Sequence, residues 1–269
     1  MPSPSPSRAA LEPPTSLAPA AAPDRPLAEN PPWGYREILA LIGAMFAGLL
    51  FAALILAGVA HRLFLERTPF VELMTKPAMV VGAQGMAYIF VLVLMYRIAG
   101  ARGASPLKAL EWNWPQRWPA FLGYGVLMAI TLQSLEHLLP MPKSVPMDRF
   151  FETPALAWML SIFAVLIAPP LEELFFRGFL YPVLARSLGI FTSIAITSLA
   201  FGAVHSDQLN HSWGPLLIIV MVGAILTTVR AFLKSVAATV LMHMGYNFTI
   251  MIALFIGTDG FRHLDKMRD

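Results

Sequence analysis

From residue 38 onward the chain alternates long uncharged stretches with short polar ones. The stretches are Ile38–Ala60, Pro77–Tyr96, Trp118–Leu135, Thr153–Leu171, Ser187–Val204, Gln208–Val229 and Ser235–Thr258. About 20 apolar residues span a hydrocarbon core of about 30 Å, so most of these predict transmembrane helices. Between the fourth and fifth lies Leu171–Arg186, apolar but interrupted by Glu172, Glu173 and Arg177. It reads either as an amphipathic interfacial helix or as an eighth crossing. Chain geometry favours the crossing. Pro169-Pro170 should break the preceding helix, because proline lacks an N–H and clashes with the turn before it. A new helix can then run from Leu171 to Gly189, a suitable C-terminal stop. Seventeen residues separate Glu172 from Gly189 and sixteen separate Gly189 from His205. At a rise of about 1.5 Å per residue both arms are ~25 Å long, which brings Glu172 and His205 to similar depth. The expected fold is all-α: a polytopic membrane helix bundle of about eight transmembrane helices.

The ends of the chain differ from this pattern. Residues 1–32 hold ten of the 23 prolines, with Ala and Ser, and predict a disordered tail. The tail lacks the apolar core of a signal peptide, so the first span has to do any targeting. Residues 33–260 form the expected integral membrane domain, and 261–269 a short polar tail. Composition narrows the function classes. AVILMFWYC make up 57% and DEKR 13%, about half the roughly 25% charge of a soluble domain. A soluble enzyme and a nucleic-acid binder both fit poorly, and the net charge of +3 is scattered instead of forming a patch. The lipid bilayer is the implied surrounding. The absence of cysteine removes disulfides, thiolate metal sites and a cysteine nucleophile. With eight crossings both termini share one side, and assigning that side to the cytoplasm gives ten basic residues against eight. That is a thin positive-inside bias.

Ionisable side chains at bilayer depth are costly and usually face a cavity. Glu173 and Arg177 are i and i+4 on one helix face, the favourable order for an ion pair. Glu172 lies about 100° around the helix and is left free. Phe201-Gly-Ala-Val-His205 ends the next helix, and His243-Met-Gly-Tyr-Asn247 places an imidazole and an amide on one face of the last one. An acid, two imidazoles and an amide are the parts for hydrolysis. The carboxylate and one imidazole can hold and deprotonate a water, alone or through a metal. The other imidazole and the amide can donate to an oxyanion.

These three motifs, in this order on consecutive membrane helices, closely resemble those of the CPBP family, which comprises type II CAAX prenyl endopeptidases and bacteriocin-processing, Abi-like relatives. The match covers Leu171–Phe248, and no motif residue departs from the pattern. The resemblance implies an intramembrane endopeptidase in the inner (cytoplasmic) membrane, with its cavity open to the cytoplasm and a membrane-associated protein or peptide as substrate. It makes Glu172 the general base, with His205 positioning the water. His243 and Asn247 stabilise the oxyanion, and Glu173 and Arg177 give structural support. If a divalent metal such as zinc takes part, Glu172, His205 and His243 are the implied ligands; a metal-free mechanism stays open.

Blander readings accompany each feature. Glu173–Arg177 is an ordinary helix pair, Phe201 packs, and His243 and Asn247 can serve as interhelical hydrogen-bond donors. Asp207, His211 and His205 read as a solvated turn sooner than as a metal cluster. A non-catalytic membrane binding or transport protein, holding an ion or partner with the same polar cluster, is the alternative function. One distance does not close. If the last turn falls near Lys234-Ser235, His243 lies only ~12 Å from that end, whereas Glu172 and His205 lie ~25 Å from it.

Overall fold

The computed structural model describes residues 29–63, 68–101, 103 and 105–267. Among them, seven apolar helices carry the fold: α1 (Tyr35–Leu63), α2 (Pro77–Gly100), α3 (Trp118–Glu136), α4 (Pro154–Leu188), α5 (Ile190–Val204), α6 (Trp213–Leu233) and α7 (Val236–Gly257). All but the 15-residue α5 are long and apolar enough to cross a membrane, which makes six candidate spans. Their outward faces expose Phe46, Phe51, Ile89, Phe191 and Ile256, the surface expected against acyl chains.

The helix ends follow local chemistry. Thr153 accepts from the Leu156 N–H at 3.3 Å and is followed by Pro154, a residue suited to the first helical position. Ser235 caps α7 by accepting from the Ala238 N–H at 3.0 Å. Gly189, with φ of 79°, makes the tight turn between α4 and α5, where a side chain would be strained.

Eight crossings are not present among the described residues, because Pro169-Pro170 does not break α4. The helix runs on for 35 residues, so Leu171–Arg186 is neither an interfacial helix nor a separate crossing but its second half. Wider π-helical turns flank the proline pair, at Phe163–Ile167 and Leu174–Leu180. Such turns are frequent at functional sites. In the first, the Ala168 N–H bonds the Phe163 carbonyl, five residues back instead of four. The widening absorbs the missing donors and ring bulk that stop an ordinary helix.

A single pass through α4 changes the sides. Arg186, Arg230 and Lys234 join Arg36, Arg97, Lys108 and Arg117 at one end of the bundle. Arg62, Lys76, Lys143, Arg149 and Arg262 lie at the other. The expected ten-to-eight bias, which assumed eight passes, therefore no longer applies.

Of the predicted disordered tail, residues 1–28 lie outside the described residues, whereas Glu29–Pro32 pack onto the bundle. Glu29 is buried and pairs with Arg230 at 3.1 Å and with Lys234. Arg230 also meets Glu111 at 3.0 Å. Trp33 stacks on Phe179 and donates to its carbonyl at 3.2 Å, and Arg186 donates to the carbonyls of Pro31 and Trp33 at 3.1 and 3.2 Å. This clasp joins α4, α6 and the loop before α3 at one end of the bundle.

Candidate active site

Two packing relations set the depth of the polar residues. A β-carbon added at Gly178 would lie 3.9 Å from Val236, so α7 starts beside the middle of the second half of α4, not beside its end at Leu188. Ten residues separate Gly178 from Leu188, an offset of ~15 Å. From that common level, His243 lies seven residues along α7 and Glu172 six residues back along α4, so both sit ~10 Å in. The mismatch expected from the turn at Lys234 disappears because the helix ends do not share one plane. Laterally, α7 lies directly against α3. Side chains at Gly125 or Gly245 would collide with the Met242 or Leu122 carbonyl respectively, the close small-residue contact common in membrane bundles.

Glu172, His205, His243 and Asn247 all line one cavity of about 400 Å³. Its remaining wall is largely apolar, with Val81, Phe163, Ile218 and Met251 among its residues. Its outer part includes Arg149, Asp207 and Gln208, so it opens at the end of the bundle opposite the Glu29–Arg230 clasp. The exposed Asp207 and His211 pair at 3.4 Å on this rim.

The two consecutive glutamates face different surroundings. Glu173 is fully buried, and its Oε1 accepts from both Arg177 Nη1 at 2.8 Å and His243 Nδ1 at 2.9 Å. Arg177, also fully buried, donates from Nε to the Thr227 hydroxyl at 3.2 Å and from Nη2 to the Gly223 carbonyl at 2.9 Å. Its guanidinium lies 4.6 Å from the centre of the Phe201 ring, a cation–π arrangement. Arg177 thereby ties α4 to α5 and α6, while Glu173 orients His243. With Nδ1 held by the Glu173 carboxylate, Nε2 is the nitrogen that His243 turns toward the cavity. That Nε2 stands 3.9 Å from Glu172 Oε2.

His205 ends α5, with Nδ1 at 2.8 Å from the Phe201 carbonyl. A carbonyl can only accept, so Nδ1 carries the proton and Nε2 is the free acceptor. Asn247 donates from Nδ2 to the Ala164 carbonyl at 2.7 Å, which leaves its second amide N–H unassigned. The metal set implied by the resemblance does not come together. Among the described residues no group of three His, Cys, Asp or Glu side chains is gathered to hold an ion.

Two site residues were not singled out in the sequence. Tyr88 of α2 donates its hydroxyl to Glu172 Oε1 at 3.3 Å and accepts from Gln84 Nε2 at 2.8 Å. Gln84 itself lines the cavity. Their signal was available: an amide and a phenol at i and i+4 in an otherwise apolar span, a spacing that puts both on one face.

No curated protein and no solved structure matches the chain. Residues 154–249 match the family described as Rce1-like, type II CAAX prenyl endopeptidase Rce1-like. That interval contains every motif residue from Glu172 to Asn247 and excludes Gln84 and Tyr88. The chain thus carries a domain of the Rce1-like type II CAAX prenyl endopeptidase family, which implies an intramembrane protease acting on a protein or peptide.

Proposed function

We propose that the protein hydrolyses a peptide bond in a membrane-associated protein or peptide, with Glu172 as the general base. The observation that carries this reading is the pairing of a cavity-facing carboxylate, Glu172, with a buried twin, Glu173, that holds the facing histidine. Water in the cavity donates to Glu172 and to the free Nε2 of His205. Glu172 takes a proton as the water oxygen attacks the scissile carbonyl. His243, protonated on both nitrogens, donates from Nε2 to the developing oxyanion while Glu173 accepts from Nδ1. The second amide N–H of Asn247 donates to the same oxygen. Collapse breaks the C–N bond, and Glu172 returns its proton to the leaving amine.

The apolar wall of the cavity suits a substrate that arrives with its scissile segment at the membrane boundary. In this reading the protein resides in the inner membrane and the cavity opens to the cytoplasm, an orientation that rests on the family resemblance, since the clasp end carries more of the basic residues than the cavity end. The domain boundaries, with the membrane unit over residues 33–260, belong to the same proposal.

The test is Glu172→Ala, comparing membrane proteomes with and without the substitution. One precursor accumulating uncut, with normal insertion of the variant, is the expected outcome. Full activity would reject Glu172 as the base. Altered binding or transport with no cleavage product in either strain would favour the non-catalytic alternative.

A further inference from the structure

The two oxygens of Glu172 have different neighbours. Oε1 accepts from the Tyr88 hydroxyl at 3.3 Å, and Oε2 faces His243 Nε2 at 3.9 Å. Tyr88 does not move independently. Its ring stacks on Phe163, with centroids 5.7 Å apart and planes 24° from parallel. Its oxygen accepts from Gln84 at 2.8 Å, and the residue is buried. Phe163 begins the first π-helical turn of α4, so the same distortion that lets α4 pass the proline pair also presents the ring on which Tyr88 rests.

We infer that Tyr88, oriented by Gln84 and Phe163, is a positioning residue that pins Glu172 by Oε1 and leaves Oε2 to the cavity. An O–H can satisfy only one acceptor. Because Gln84 fills the lone-pair side of the Tyr88 oxygen, its proton is directed to the carboxylate. Without this bond Glu172 would be free to rotate about its last torsion, which is broad for a carboxylate, and to exchange the oxygen it presents to water. Tyr88 lies on α2, outside the family interval of 154–249. The site is therefore completed by a helix that the motifs do not include. The inference rests on the reading of Glu172 as the base.

The experiment uses the full chain in lipid nanodiscs, with an internally quenched farnesylated peptide ending in a CAAX sequence as probe. Tyr88→Phe is expected to lower kcat about tenfold, the scale of one lost hydrogen bond to a charged group, with KM unchanged within about twofold. Gln84→Met should lower kcat less, and adding it to Tyr88→Phe should cost little more, since both act through one bond. A readout independent of turnover is the infrared carboxylate band of Glu172, assigned by difference from Glu172→Gln. It should shift in Tyr88→Phe, while the thermal midpoint stays close to that of the parent. An unmoved band in both Tyr88→Phe and Gln84→Met overturns the inference, whatever the probe reports. If Glu172→Ala is inactive while Tyr88→Phe keeps the parental kcat, the inference fails and the functional reading stands. Glu172→Ala cleaving at the parental rate would instead remove the functional reading, leaving the band to report only the hydrogen bond.

Discussion

Asn247 donates to the carbonyl of Ala164 at 2.7 Å across the α4–α7 contact. The backbone cannot serve that carbonyl. The Ala168 N–H has moved back to Phe163, and Pro169 has no N–H. A motif residue with a proposed catalytic role therefore also closes the hydrogen-bond gap opened by the proline pair.

Asn247→Ala should accordingly destabilise the protein by about 1–3 kcal/mol, the cost of an orphaned buried polar group. Unfolding of the purified protein in mixed micelles measures this without reference to substrate. An unchanged midpoint would mean that the Ala164 carbonyl finds another donor.

Gly245→Ala tests the α3–α7 contact. The added methyl would meet the Leu122 carbonyl oxygen, which is backbone and cannot swing away. Overpacking of this kind costs about 1–3 kcal/mol, and it displaces the helix that carries His243 and Asn247. Stability and activity should fall together, whereas a similar change at Gly43, which has open space around it, should affect neither.

Glu111 lies in the loop before α3, outside the spans. Burial pushes its carboxyl above the usual range. Arg230 opposes this, the Glu29 carboxylate reinforces it, and Lys234 opposes it. An acid with a raised pKa in the folded state contributes stability that is complete below the unfolded carboxylate range and is lost as pH rises through the folded value. Glu111→Gln should therefore flatten the decline in stability on moving from acid toward neutral pH. Chemical unfolding at a series of pH values would show it. A steeper decline in the variant would reverse the sign and exclude burial as the dominant effect.

The absence of cysteine makes sidedness directly measurable. Lys143→Cys and Lys108→Cys place single thiols on exposed residues at opposite ends of the bundle. If the cavity opens to the cytoplasm, a membrane-impermeant maleimide added to intact cells should label Lys108→Cys and spare Lys143→Cys. The reverse pattern would put the cavity mouth outside.

Much of the molecule was legible without coordinates, for reasons particular to lipid. A span must be apolar and satisfy its own backbone, so Ile38–Ala60 or Ser235–Thr258 announce themselves, and Glu172, Glu173 and Arg177 stand out against them. The i,i+4 geometry relates Glu173 to Arg177 and His243 to Asn247 within single helices. The proline pair misled for a physical reason: the rule that proline ends a helix assumes regular four-residue hydrogen bonding, and α4 relaxes to five. Tyr88 and Gln84 were passed over because an uncharged span reads as lipid-facing, although both carry polar groups turned inward.

The amino-acid order by itself determined an all-helical membrane chain and the three polar motifs, because lipid imposes local rules that each segment must meet alone. The tertiary structure decided how α4 passes Pro169-Pro170, how deep α7 begins, which histidine nitrogen faces Glu172, and that α2 contributes to the site. These depend on where helix ends stand relative to one another and on bonds between residues as far apart as Tyr88 and Glu172, and no local periodicity encodes either.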